Sequence, residues 1–277
     1  MTAAPDTALA AVRAVICDID GVVVRGATSI PGAAAALERL RAAGKAIGFL
    51  TNNSTKTPAE YADWFHQLGI NCRVEQVMTS GLATARALAK RFPGGRVMVV
   101  GGESFESLLR DAGLLVVAPE MDAGPVAAVA VGLDRDLTYW KLAAAQRAVL
   151  NGARLIASNA DSTFPTERGL EPGAGVIVAA LERATGVTAE VIGKPKPQML
   201  FDLLEQLGAS LPETLMVGDR LETDIRMAKE AGVRSCLVLT GISDRAAADG
   251  ACDTPDLILE SLADLPALLV PALETPA

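Results

Sequence analysis

The chain has 277 residues, half of them hydrophobic and 21% charged, with a formal net charge of −8. That length suffices for a sizeable core, and that composition belongs to a folded globular chain rather than a disordered one. No basic stretch offsets the negative charge, which argues against nucleic acid or an anionic membrane surface as partner.

The opening MTAAPDTALA has neither the basic start nor the apolar centre of a signal segment, and no apolar run reaches membrane-spanning length. A soluble, cytoplasmic protein is expected. Cys17, Cys72, Cys236 and Cys252 are scattered with no CxxC pair, so buried, reduced thiols are expected rather than a disulfide or metal-thiolate framework. The single histidine, His66, falls in a helical pattern and reads as a surface or half-buried residue. One histidine leaves little room for a Ser-His-Asp triad or a multi-histidine zinc site.

In chain order, strands are expected at RAVICDI (13–19), AIGFLT (46–51), RVMVVG (96–101) and AAVAVGL (127–133). Four more follow at RLIASN (154–159), AEVIG (189–193), TLMVGD (214–219) and SCLVLT (235–240). Segments of helical period separate them, the pattern of βα units around a parallel sheet covered on both faces. Thr57, Pro58 and Glu60 form a helix start with a capping box, and Gly44, Gly69, Gly208 and Gly232 mark helix stops. Met98 lies in VMVVGG, but no GxGxxG is present, so a strand is the better reading than a dinucleotide site.

Four of these strands end in polar chemistry. The first is followed by Asp18 and Asp20, the second by Thr51, Asn52 and Asn53, a later one by Lys194 in GKPKP, and another by Asp219 and Asp224 in GDRLETDI. In an open parallel sheet, ligands bind beyond the carboxyl ends of strands. If the four strands are neighbours, the four deposits share one rim. Carboxylates about 4 Å apart repel by roughly 4 kcal/mol at an effective dielectric near 20. Either some of these aspartates stay protonated or a cation sits among them. An all-oxygen set suits a hard ion, and Mg²⁺ best where a phosphate completes the shell. Taken singly, each deposit also reads as a turn, a cap or an acidic helix start; their order and shared placement carry the argument.

These motifs, DIDG, TNN, GKPKP and GDRLETDI in that order, resemble those of the haloacid dehalogenase superfamily of phosphotransferases. Between the second and third, VVGGES, VAVGLDRDLTYWKL and SNADSTFPTERGLEPGAG resemble the α/β cap of its NagD-type branch. That branch includes nitrophenylphosphatases and phosphatases for phosphoglycolate, glycerol phosphate and nucleoside monophosphates. The resemblance implies a Rossmann-like parallel-sheet α/β core from residues 1–92 and 188–277, with a smaller α/β cap inserted at 93–187. It implies Asp18 as the nucleophile that takes the phosphoryl group and Asp20 as general acid, then base. Mg²⁺ would be held by Asp18, the Asp20 carbonyl and Asp219, with Asp224 orienting those ligands or Lys194. Thr51, Asn52 and Asn53 would bind phosphoryl oxygens, and Lys194 would offset charge.

In the cap, Phe164 stands where the branch has a substrate-contacting residue, with Thr163, Glu167 and Arg168 nearby; Phe164 could instead pack the cap interior. Arg168 could pair with Glu167 or Glu171. Lys196 reads as solvated, and Arg220 as either touching substrate or pairing with Glu222. The implied substrate is a small phosphate ester such as phosphoglycolate, glycerol phosphate or an aryl phosphate, alternatively a nucleoside monophosphate or sugar phosphate. A phospho-ligand-binding regulatory protein and a phosphoryl transferase or mutase are the competing functions. A homodimer formed through the cap is expected.

Overall fold

The computed structural model describes residues 7–120, 123–166 and 169–270. The chain divides into two compact units, one from Met1–Leu50, Ala62–Val77 and Leu200–Ala277, the other from Thr51–Tyr61 and Met78–Met199.

The first unit is built on a six-stranded sheet in the order Leu257–Leu259, Arg234–Val238, Thr214–Gly218, Ala14–Asp18, Ala46–Thr51, Val77–Thr79. The strand Ala14–Asp18 pairs in parallel with Thr214–Gly218 on one side and Ala46–Thr51 on the other. Every residue of both Ala14–Asp18 and Thr214–Gly218 is buried, the signature of central strands covered on both faces. Phe49 meets Phe65 edge to face at 4.8 Å, tying the sheet to the helix Pro58–Gln67.

The second unit carries a five-stranded parallel sheet in the order Glu190–Val191, Arg154–Ala157, Ala128–Val131, Arg96–Val100, Leu115–Val117. The period-two rule sorts its side chains cleanly. Val97, Val99, Ala128, Ala130 and Ile156 pack with Phe105 and Leu109 on one face. Met98, Val100, Val129, Val131 and Leu155 pack with Val149, Val178 and Leu181 on the other. A fully buried side chain of this size contributes about 1.5–3 kcal/mol, so both faces are needed to hold the layer.

All eight expected strands form, within a residue or two at their ends. Thr57 and Glu60 make the expected capping box: the Thr57 amide donates to Glu60 Oε2 at 2.6 Å and the Glu60 amide to Thr57 Oγ1 at 3.2 Å. Gly44, Gly69, Gly208 and Gly232 all have positive φ at helix ends. His66 is exposed, its Nε2 accepting from the Cys72 amide.

Several expectations are corrected. The strand preceding Lys194 pairs with Arg154–Ala157 in the five-stranded sheet, so the four polar strand ends do not belong to four neighbouring strands. The segment 158–175, whose two prolines and three glycines suggest a turn-rich loop, contains an antiparallel pair, Thr163–Thr166 with Gly169–Pro172. Cys17, Cys72 and Cys236 are buried free thiols, but Cys252 is exposed. Burial drives the Cys72 and Cys236 thiols up to about 12, so they stay protonated and inert. No helix among the described residues is long and apolar enough to cross a membrane.

Candidate active site

In the first unit, Asp18 is the last residue of its strand and Asp219 the first beyond the adjacent strand Thr214–Gly218, so parallel pairing alone sets the two side by side. Asp224 arrives differently. After Asp219 the chain makes a π-helical turn, Leu221–Ile225, before the helix Arg226–Ala231. The wider turn brings Asp224 back, where its Oδ2 accepts from the Arg220 amide at 3.1 Å. Gly218 leaves the room: a Cβ there would lie 2.1 Å from Cβ of Asp224.

Carboxylate oxygens of Asp18, Asp219 and Asp224 lie within 4.8 Å of one another, and all three residues are buried. At that spacing each ionised pair repels by about 3–4 kcal/mol at an effective dielectric near 20. Among the described residues this is the only group of three or more acids, histidines or cysteines arranged to hold a metal. The donor set is all oxygen and buried, which fits a hard divalent cation and disfavours zinc.

Asp219 is fixed from outside the cluster. Its Oδ2 accepts from the Ile242 amide at 2.8 Å, and its carbonyl from the Ser243 amide. Two glycines clear its path: a Cβ on Gly241 would lie 1.8 Å from Asp219 Oδ2, and one on Gly21 only 2.4 Å from it. Gly21 also holds φ +87°, a turn geometry that L side chains resist. Asp20 is half-buried, its backbone forming an isolated bridge with Val24, whereas Asp18 is only 6% exposed.

In the second unit, Thr51 Oγ1 accepts from the Asn53 amide at 3.0 Å, and Asn53 Oδ1 accepts from the Thr55 amide and hydroxyl. Asn52 is joined to Lys194: its Oδ1 accepts from the Lys194 amide at 2.8 Å, and its Nδ2 donates to the Lys194 carbonyl at 3.2 Å. The same Nδ2 faces Asp161 at 3.1 Å. Lys194 is buried, and its bond to Pro195 is cis. Lys196 is exposed, as expected. Phe164 is half-buried with the Arg135 guanidinium 5.6 Å from its ring centroid. Arg220 is half-buried. Glu167 and Arg168 lie outside the described residues.

Asn159 and Asp161 are not among the residues expected at the site from the sequence. A signal was there to use: SNAD follows the strand Arg154–Ala157 as a fifth polar strand end.

Residues 15–115 match the family model described as haloacid dehalogenase-like hydrolase, and residues 191–265 a second, HAD-hydrolase-like model. An acid sugar phosphatase of Staphylococcus aureus is 38% identical over 231 residues, 83% of this chain and 88% of that protein. The chain belongs to the haloacid dehalogenase-like hydrolase family. Within the family it is of the NagD type. The 4-nitrophenylphosphatase of Thermotoga maritima superposes with a TM-score of 0.88 at 31% identity, covering 95% of this chain and 99% of that one. A glycerol phosphate phosphatase of Mycobacterium tuberculosis, solved in complex with magnesium, does so with a TM-score of 0.86 at 36% identity, covering 93% and 77%.

Proposed function

We propose that this haloacid dehalogenase-like hydrolase is a Mg²⁺-dependent phosphomonoesterase for small phosphate esters, working through an aspartyl-phosphate on Asp18. The observation that carries the reading is the buried cluster of Asp18, Asp219 and Asp224 at adjacent strand ends. Mg²⁺ would be held by Asp18, the Asp20 carbonyl and Asp219, with Asp224 orienting these ligands. When bound, the ion neutralises the crowded carboxylates and the charge of the phosphoryl oxygens.

The remaining steps fall to the chain's own groups. An Asp18 oxygen attacks phosphorus in line as the bond to the leaving group's oxygen breaks, and Asp20 gives the leaving oxygen its proton, releasing the alcohol. Asp20 then takes a proton from water, whose oxygen attacks phosphorus and restores Asp18, releasing phosphate. The contrast in environment between buried Asp18 and half-buried Asp20 supports this division of labour. Thr51, the main chain of the Asn52–Asn53 segment and Lys194 would orient and neutralise the phosphoryl group, where positioning and electrostatics supply most of the rate.

The names of the relatives, acid sugar, glycerol phosphate and nitrophenyl phosphate phosphatases, support a small soluble ester as substrate. Phe164, in the proposed cap of residues 93–187, would contact its leaving group. Hydrolysis of 4-nitrophenyl phosphate with Mg²⁺ tests the reading. Both EDTA and Asp18→Asn are expected to lower kcat by at least about 10³-fold, comparable to loss of a nucleophile elsewhere. Turnover that survives either treatment overturns it.

A homodimer through the cap and a cytoplasmic setting complete the proposal. Exposed Tyr139 and Trp140, 75% and 66% accessible, support the first, and four free cysteines the second. Light scattering on protein recovered from the cytosolic fraction checks both; a monomer, or recovery only from another fraction, refutes the part concerned.

A further inference from the structure

We infer that Asn52, backed by Asp161, is a positioning residue for Lys194, gripping the lysine's peptide unit rather than touching the phosphoryl group. The inference rests on the phosphoryl-transfer role proposed above for Lys194. Asn52 is buried, and its carboxamide meets Lys194 at two points, as one peptide unit meets another in a sheet. Oδ1 accepts from the Lys194 amide at 2.8 Å, and one Nδ2 hydrogen goes to the Lys194 carbonyl at 3.2 Å. The other Nδ2 hydrogen is shared by the Asp161 oxygens at 3.2 and 3.1 Å. Turning the amide over would set Oδ1 against a carboxylate and a carbonyl and Nδ2 against an N–H, so Asp161 and Lys194 together dictate its orientation.

The main chain of Asn52 is pinned as well. Its carbonyl accepts from Ser80 Oγ at 2.6 Å and from Asn159 Nδ2 at 2.7 Å, both from buried residues. Gly193 completes the fit, since a Cβ there would lie 2.5 Å from both Asn52 Oδ1 and the Ser158 carbonyl. With both Nδ2 hydrogens committed, the carboxamide has no donor left for a phosphoryl oxygen. What it can do is set where the Lys194 side chain starts.

Steady-state kinetics with 4-nitrophenyl phosphate and Mg²⁺ test this. Asn52→Ala is expected to lower kcat on the order of 10²-fold, with KM within a few-fold, the effect of misplacing a catalytic group by about 1 Å. In a Lys194→Ala background the same substitution is expected to cost less than about two-fold, because its route of action is gone. Asp161→Ala should lower kcat by about 10-fold, whereas Asp161→Asn, whose amide oxygen still accepts, should retain most of it. Equal losses in both backgrounds, or a loss confined to KM, overturn the inference. Should Asn52→Ala fail to fold, the contrast between Asp161→Ala and Asp161→Asn decides, and its absence counts against. A wild type with no turnover refutes the phosphatase reading instead. In that case a crystal structure of Asp161→Ala decides, a displaced Lys194 peptide supporting the grip and an undisturbed one overturning it.

Discussion

At the carboxyl end of the strand Thr214–Gly218, Asp219 is crowded against Asp18 and Asp224. At the carboxyl end of Arg154–Ala157, Asn159 and Asp161 instead complete a hydrogen-bond network around Asn52, in which Asp161 is the one carboxylate. Both strands lie inside parallel sheets of buried aliphatic residues, and both ends are made possible by a glycine where any Cβ would collide. The first region accumulates charge that repels itself and so invites a cation. The second satisfies the carboxamide and carbonyl of Asn52 internally and so fixes its geometry without any ligand. Alike in architecture, the two regions differ in how their strand ends dispose of charge, and the roles proposed above, holding a cation in one and positioning Lys194 in the other, follow that difference.

Paired glycine substitutions probe this contrast. Gly241→Ala drives a Cβ into the Asp219 carboxylate and its own Cβ at 1.8–2.4 Å, so rotation of the aspartate alone cannot relieve it. It is expected to lower kcat on the order of 10²-fold and to raise the Mg²⁺ concentration needed for half-maximal rate. Gly193→Ala strains Asn52 and the Ser158 carbonyl and is expected to lower kcat by about 10-fold, with the Mg²⁺ dependence unchanged. A Mg²⁺ titration of both variants checks the pair; the same shift in each would erase the proposed distinction.

A smaller effect lies away from both regions. Burial alone would raise the Asp256 carboxyl, but hydrogen bonds from the Ser235 hydroxyl and amide and from Lys229 prevail and hold it below its ordinary value. A depressed carboxyl stabilises the fold above its unfolded-state pKa, and that stability is lost as pH falls through the lower folded-state value. Because the Asp256 side chain is 38% exposed, the contribution is expected to be under about 1 kcal/mol. Thermal melts of wild type and Ser235→Ala from neutral to acid pH check it: the difference in Tm should shrink as pH falls, and a difference that widens would contradict the sign.

What the sequence determined by itself was local. The buried strands were legible because their apolar runs are short, β-branched and bounded by glycine or polar residues. The helix start at Thr57–Glu60 and the glycine stops follow from backbone chemistry within a few residues. Asp18 and Asp219 were also legible as partners, since each stands at the carboxyl end of a short apolar run, AVIC and LMVG. The tertiary structure decided the pairings that span the chain. Only there does the strand before Lys194 join the five-stranded sheet, and only there does Lys194 meet Asn52, 142 residues away. The π-helical turn that returns Asp224 and the exposure of Cys252 belong to the same class. Periodicity and capping are encoded between near neighbours, whereas strand order and amide networks depend on which distant segments pack together, and no local pattern records that choice.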